Sequence, residues 1–521
     1  MTTSRGRRRA MKLVLAGVTT LGMLGLGEGV LRLVGGYRLF ALRLTPAPRS
    51  SGAAAGALAA AHDLVDPFAA RWRSARPDID PDWLAESPPP LPPEPALGLP
   101  LLAQRDWLLN YYVLNEVALR TPLALKLATD PLLKLPEHFT VFTPPGGKPF
   151  PHYRYPASRS LPTGLVTNKF GFRGGEVAVD KPARTVRIAL VGASTTAEAP
   201  QLPHDAPQLI QHWLGFWARR EGLDVRFEVL NAAREAIRSH DIRAIVEDEV
   251  LPLAIDYLVY YEGANQFQPE TLHRHIAVEG EYHIAVPPPG VVGTYDETAG
   301  VDATWLDGLS TWSATARYLR TALAGRARLS EPAKPAQHVT LPPELLQGEF
   351  PLDRAAGVLE LQAIGGDLAA IKAMADAAGA KFVLSTFWWF AQDGMTLDPV
   401  LGKNVHVHLN RAYWPFRYAA VRQLADVQNR FFAAWAKANG IDLVDVGGEL
   451  PQDERLAIDA IHHSELGVRL KAWIFFAALT RIVERDLAAR RIPVPDTHPD
   501  DHHPNIGPTH TIAPAELGLR R

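Results

Sequence analysis

Between about residue 184 and residue 490, short apolar runs alternate with longer helical stretches. This pattern predicts a doubly wound α/β domain on a five-stranded parallel sheet. Three observations carry that expectation. The runs are almost uninterruptedly apolar, as strands covered on both faces must be. The stretches between them are long enough for crossover helices, and right-handed crossovers give a parallel sheet. Small and polar residues cluster immediately after the runs, where the carboxyl ends of parallel strands place chemistry.

The first strand is expected in VRIALVG (Val186–Gly192), followed by a helix from about Pro207 to Gly222. FEVLN (Phe227–Asn231) is the second, with a helix around His240–Val250, and DYLVYYEG (Asp256–Gly263) is the third. After a long interruption come a helix at Val358–Ala378 and a strand at Lys381–Phe387. A helix at Arg417–Asn439, a strand at Ile441–Val446 and a last helix from about Ser464 to Leu487 close the domain, set at about 160–490. Two insertions are expected, at about 267–357 and 388–416. The first is Pro-rich with interspersed aromatics and is read as a partial lid. The tail 491–521 (VPDTHPDDHHPNIGPTHT within it) is expected to be disordered.

Composition sets outer limits. The chain has 521 residues, of which 47% are hydrophobic and 21% charged, which excludes a mainly disordered or polytopic membrane protein. Its 40 glycines and 44 prolines call for long connections. A net charge of −2 supplies no basic field for nucleic acid. With 0 cysteines there is no disulfide, thiol chemistry or Cys-ligated zinc.

The N-terminus carries Arg5, Arg7, Arg8, Arg9 and Lys12 before an uncharged run from Leu13 to Gly27, with apolar character continuing to Val34. This is the pattern of an export signal. An uncleaved transmembrane anchor within 1–40 is favoured, because no A-x-A-like site follows promptly; a cleaved signal peptide is the alternative. Glu28 and Arg32 interrupt the run at i, i+4 spacing, so they can pair. The positive-inside rule then leaves the rest of the chain outside the cytoplasm. Residues 41–150 are read as an Ala/Pro-rich tether (SSGAAAGALAAA, SPPPLPPEPALGLP) with accessory helices, not as core.

Four strand ends carry candidate chemistry. The first ends in Gly192-Ala193-Ser194-Thr195, the second in Asn231, the third in Gly263-Ala264-Asn265-Gln266. Beyond the fifth lies DAIHHSELG, with Asp459, His462, His463, Ser464 and Gly467. A serine hydroxyl becomes nucleophilic when a base within reach takes its proton, and histidine titrates in the right range. A carboxylate fixes the imidazole tautomer, and the three-residue spacing of Asp459 and His462 lets one turn of chain bring them together. An oxyanion would need donors, available from the Ser194 N–H, a backbone N–H after the second strand, and the Asn265 amide. His463 is the competing base, and Ser464 is most simply a helix N-cap. His406 and His408 look metal-like but are read as surface histidines, so no metal and no cofactor is expected. Trp388–Trp389 is either core or a wall for stacking sugars.

These ordered blocks, GAST, the Asn231 loop, GANQ and D-x-x-H-x-S-x-x-G, resemble the SGNH (GDSL-like) hydrolase superfamily. TNKFGFRGGE (Thr167–Glu176) resembles the N-x-x-GFRG lead-in of its membrane-anchored bacterial members. The resemblance covers about Thr167 to Leu487. It implies a flavodoxin-like sheet, Ser194 as nucleophile, His462 as base, Asp459 as orienting acid and Asn265 as an oxyanion donor. It also implies ester substrates such as acylated carbohydrates or lipids. The expected function is therefore a serine esterase or O-deacylase. The alternatives are an O-acyltransferase of a cell-surface polysaccharide and a degenerate domain that only binds a glycan or partner. Two departures stand out. The glycine whose N–H faces the oxyanion is Ala236 here, with bulky Arg234 and Glu235 beside it, and GANQ replaces GxND. A φ > 0 requirement at Ala236 would be costly. The α/β-hydrolase signature G-x-S-x-G lacks its second glycine here.

Overall fold

The computed structural model describes residues 53–89, most of 139–198, 202–266, 361–392 and 416–494, with shorter pieces of 22–40, 309–330, 351–353, 396–413 and 503–513. The five parallel strands are β1 (Thr185–Gly192), β2 (Arg226–Asn231), β3 (Tyr257–Tyr261), β4 (Lys381–Ser385) and β5 (Asp442–Val444). They lie in the order β2-β1-β3-β4-β5, all neighbours parallel. Every residue of β1 and β3 is buried, as their apolar runs require.

The helices are α1 (His62–Ala75), α2 (Ala206–Arg220), α3 (Ser239–Ile245), α4 (Ala314–Ala324), α5 (Leu361–Ala377), α6 (Tyr418–Asn439) and α7 (Glu465–Ala488). On one face α2 packs against α7, with the Trp213 and Trp473 rings 5.2 Å apart edge to face. On the other face α3 meets α5, and α6 brings Phe431 against Gly365 of α5. The chain leaves β1 toward β2 and returns across it to β3, so the crevice at the end of β1 is the topological switch point.

Two of the sequence expectations change. Within the segment read as a tether, the stretch 53–87 contributes side chains to the core. Leu58, Val65, Phe68, Trp72, Ile79 and Leu84 are buried with the sheet's covering helices. Val65, Phe68 and Trp72 fall at i, i+3 and i+7, one apolar stripe on α1. Arg76 donates to the Ala477 carbonyl and Thr480 hydroxyl of α7, and Arg469 of α7 donates to the Leu84 and Glu86 carbonyls. The tail is also not wholly irregular: Thr509–Ile512 pairs antiparallel with Phe139–Phe142, and the Asn505 N–H bonds the Asp248 carbonyl. β-branched residues on both strands suit that ladder.

The two insertions meet in a short antiparallel ladder of Leu329–Ser330 with Thr396–Leu397. Residues 101–135 of the segment read as tether and accessory helices, and most of the expected lid, lie outside the described residues. Among the described residues no helix is long and apolar enough to cross a membrane. Half of the expected anchor, Leu13–Val34, lies outside them too. Glu28 and Arg32 do pair, with Nε to Oε1 at 2.7 Å.

Replacing Phe68 by alanine should destabilise the protein by ~3–5 kcal/mol, the cost of an aromatic cavity. Urea denaturation followed by tryptophan fluorescence measures it, and a loss near zero would restore the tether reading.

Candidate active site

The lead-in TNKFGFRGGE folds into a tight loop beneath the end of β1. The Asn168 side chain accepts from the N–H groups of Phe170 (2.9 Å) and Phe172 (3.0 Å). Gly171 has φ +73°, and a Cβ there would run into the Tyr155 carbonyl. The loop delivers buried Arg173, whose guanidinium donates to the carbonyls of Ala197 (2.9 Å), Glu198 (3.1 Å) and Leu202 (3.0 Å). From the other side, buried Lys471 of α7 donates to the Thr195 carbonyl and pairs with buried Glu198. The turn carrying Ser194 is thus held by two buried cations, balanced by Glu198 and by Asp205, which lies 3.4 Å from Arg173. A Cβ at Gly192 would collide with the Tyr261 carbonyl and the Thr196 hydroxyl, so only glycine admits the sharp exit from β1.

Ser194 opens the short helix Ser194–Ala197. Its hydroxyl lies 2.7 Å from Nε2 of His462, and Nδ1 of the same ring lies 2.8 Å from Oδ2 of Asp459. A carboxylate only accepts, so Nδ1 carries the proton and Nε2 receives the serine's. The other Asp459 oxygen accepts from the N–H groups of Ile461 and His462, both at 2.9 Å, which fixes the carboxylate in the turn. Burial raises the Asp459 pKa, but the imidazole of His462 and the nearby His408 outweigh it and leave the group well below its ordinary range. Burial lowers His462, but Asp459 outweighs it and holds the imidazole above its ordinary 6.5.

His463 lies elsewhere. It is buried against the Trp388 ring, 4.9 Å between centroids, and burial with the Lys471 charge keeps it neutral. Ser464 caps α7 through the Gly467 N–H. Trp388 and Trp389 are both core residues. Of the two histidines expected at the surface, His406 is buried and His408 is half-buried. His406 has Nδ1 3.3 Å from the Tyr418 hydroxyl, and His408 stands with Nδ1 3.4 Å from Asp459. The second insertion folds them back onto the triad side, which local sequence spacing does not report. Among the described residues no group of three or more His, Cys, Asp or Glu side chains is arranged to hold a metal.

The loop after β2 is braced by the bulky residues in it. Arg234 is buried in a pair with Glu249, and Glu235 accepts from the Tyr155 hydroxyl. Asn231 donates to the Thr196 carbonyl (3.2 Å) and Asp205 (2.9 Å), joining this loop to the serine turn. Ala236 has φ 58°, the left-handed conformation that costs a Cβ-bearing residue about 1–2 kcal/mol. The Asn265 amide donates to the Ile237 carbonyl at 2.8 Å, so the third strand end is fastened beside Ala236. Gln428 of α6 donates to the Gly263 carbonyl at 2.7 Å.

Glu262 carries no local sequence signal of a role. It is buried, and its carboxylate accepts from the Asn265 N–H at 2.7 Å. Burial raises its pKa to about 7, against the lowering effect of the Asn265, Gly263 and Ala193 amides and of the His462 charge. It therefore links the residue before Ser194 to the Asn265 turn.

No protein-family model matches the sequence, and no curated protein matches it. The comparison of structures finds similar solved proteins. A GDSL-like lipase from Bacteroides thetaiotaomicron is 12% identical, covering 57% of this chain and 88% of its own, with a TM-score of 0.26. A lipase/acylhydrolase from Enterococcus faecalis is 15% identical over 58% of this chain and 96% of its own, TM-score 0.29. An acetylxylan esterase from Geobacillus stearothermophilus is 12% identical over 56% of this chain and 94% of its own, TM-score 0.30.

Two outcomes follow from this geometry. Ala236→Gly should stabilise the protein by up to about 1 kcal/mol in a denaturant titration, since relief of the left-handed alanine exceeds the added chain entropy. Glu262 has its folded pKa raised to about 7 from 4.5, so its contribution to stability is present below 4.5 and is lost as pH rises through 7. Glu262→Gln should then match the wild type in melting temperature at pH 4 and exceed it at pH 8. An equal difference at both pH values would refute the assignment.

Proposed function

We propose that this chain is a serine ester hydrolase of the SGNH type, acting on an O-acylated carbohydrate or lipid through an acyl-serine intermediate. The observation that carries the reading is the continuous relay from the Ser194 hydroxyl through His462 to Asp459, with both hydrogen bonds below 3 Å. Ser194 Oγ attacks the acyl carbonyl carbon as His462 Nε2 takes its proton. The oxyanion is met by the Ser194 and Ala236 N–H groups and the Asn265 amide, held near one another by the Asn231 and Ile237 bonds. The ester C–O bond then breaks and the alcohol leaves with the proton from His462. Water, deprotonated by the same imidazole, releases the acid and restores Ser194. A sugar hydroxyl in place of water would make the same relay an O-acyltransferase, and product analysis with an acceptor sugar separates the two. The Arg-rich N-terminus and the apolar run after it support a membrane-anchored protein whose catalytic domain faces the periplasmic side.

Ser194→Ala and His462→Ala should each remove most hydrolysis of a small aryl acetate, and the double variant should lose little more, because the two act as one unit. Asn265→Ala should lower kcat by about 10²–10³. His463→Ala, if folded, should retain the activity. Abolition by His463→Ala with His462→Ala active would overturn the assignment of the base. Catalysis needs neutral His462, so kcat/KM should rise with pH through a midpoint above 6.5. Asp459→Asn should move that midpoint down as well as cutting the rate, and a midpoint unmoved by this change would contradict the coupling.

A further inference from the structure

Among the described residues, exposed large apolar side chains are confined to two stretches, 23–40 and 309–319. In the first, Met23, Leu26, Val30 and Leu33 repeat at three- and four-residue intervals along helical backbone, so they form one outward stripe. In the second, Trp312, Tyr318 and Leu319 are exposed on and just before α4. Apolar side chains gathered in this way mark an interaction surface.

The two stretches are joined through a charge. Glu28 accepts from the Ala314 N–H (2.8 Å), the Thr315 N–H (2.9 Å), the Ser313 hydroxyl (2.8 Å) and the Thr315 hydroxyl (2.9 Å). Those two amides are the first orphan donors of α4, and the carboxylate sits at the positive end of the helix. Arg32, paired with Glu28, donates to the Trp312 carbonyl at 2.6 Å. A carboxylate inside an apolar segment is expensive in lipid unless it is fully satisfied. Here it is satisfied by another apolar-surfaced element.

Resting on the membrane-anchored reading above, we propose that α4 is a second membrane-contacting element, seated in the interfacial zone of a lipid bilayer and pinned to the N-terminal helical stretch by Glu28. The bilayer is favoured as occupant because the exposed stripe continues the apolar run that starts at Leu13, behind Arg5, Arg7, Arg8, Arg9 and Lys12, which suit anionic headgroups. The 11 residues of α4 reach ~16 Å, about half of a hydrocarbon core, so it lies along the surface.

The chain has 0 cysteines, so single-cysteine labelling is clean. Full-length Leu26→Cys, Leu319→Cys and the control Glu221→Cys, each carrying an NBD fluorophore, would be reconstituted into phosphatidylethanolamine/phosphatidylglycerol vesicles with nitroxide-labelled lipid. The expected result is quenching at positions 26 and 319 and none at 221. Quenching at 26 with a label at 319 that behaves like 221 overturns the proposal and leaves the anchor standing. Absence of quenching at both 26 and 319 overturns both. Adding Glu28→Ala should abolish quenching at 319 while retaining it at 26, and unchanged quenching at 319 overturns the pin. Aryl acetate hydrolysis by the same preparations reports separately on the ester-hydrolase reading and on folding.

Discussion

The turn that follows β1 is clamped between two buried cations, Arg173 from the lead-in loop and Lys471 from α7, and the placement of Ser194 follows from that clamp. Both cations donate to main-chain carbonyls of the turn. Each is balanced by a buried carboxylate, Asp205 or Glu198. Breaking such a pair by removing one partner typically costs about 3–5 kcal/mol, so the turn has little freedom to relax. The positive φ of Glu198, 63°, is the local backbone cost of this geometry.

The same clamp connects distant parts of the chain. Asp205 caps α2, accepts from Asn231 at the end of β2 and faces Arg173. Glu262 continues the network to the end of β3. His462 comes from the far side of the domain, 268 positions after Ser194, and meets it because α7 packs on α2 over the same face of the sheet. The strand-end blocks are thus parts of one hydrogen-bonded floor, and Ala236 and Arg234 fit it through Glu249 and the Asn265–Ile237 bond.

Much of this is legible in the sequence. The five strands stand where the apolar runs are, most plainly β1 and β3, because a strand buried on both faces has few alternatives in sequence. Asp459 and His462 were readable because their contact is local, three residues apart. What escaped was set by tertiary placement. Nothing local marks Glu262, and only the closure of the Asn265 turn makes it a buried acceptor. His406 and His408 reach the triad side through the path of an insertion. The α1 stripe was visible in Val65, Phe68 and Trp72, but the surrounding Ala-rich composition suggested a tether.

The central claim is that His462 makes Ser194 a nucleophile at the end of β1. Labelling with a serine-directed fluorophosphonate, followed by peptide mass spectrometry, tests it most directly. The account predicts a single phosphonyl adduct on Ser194 in the wild type, strongly reduced in His462→Ala. An unlabelled Ser194 in folded protein, or labelling that is indifferent to His462, would contradict it.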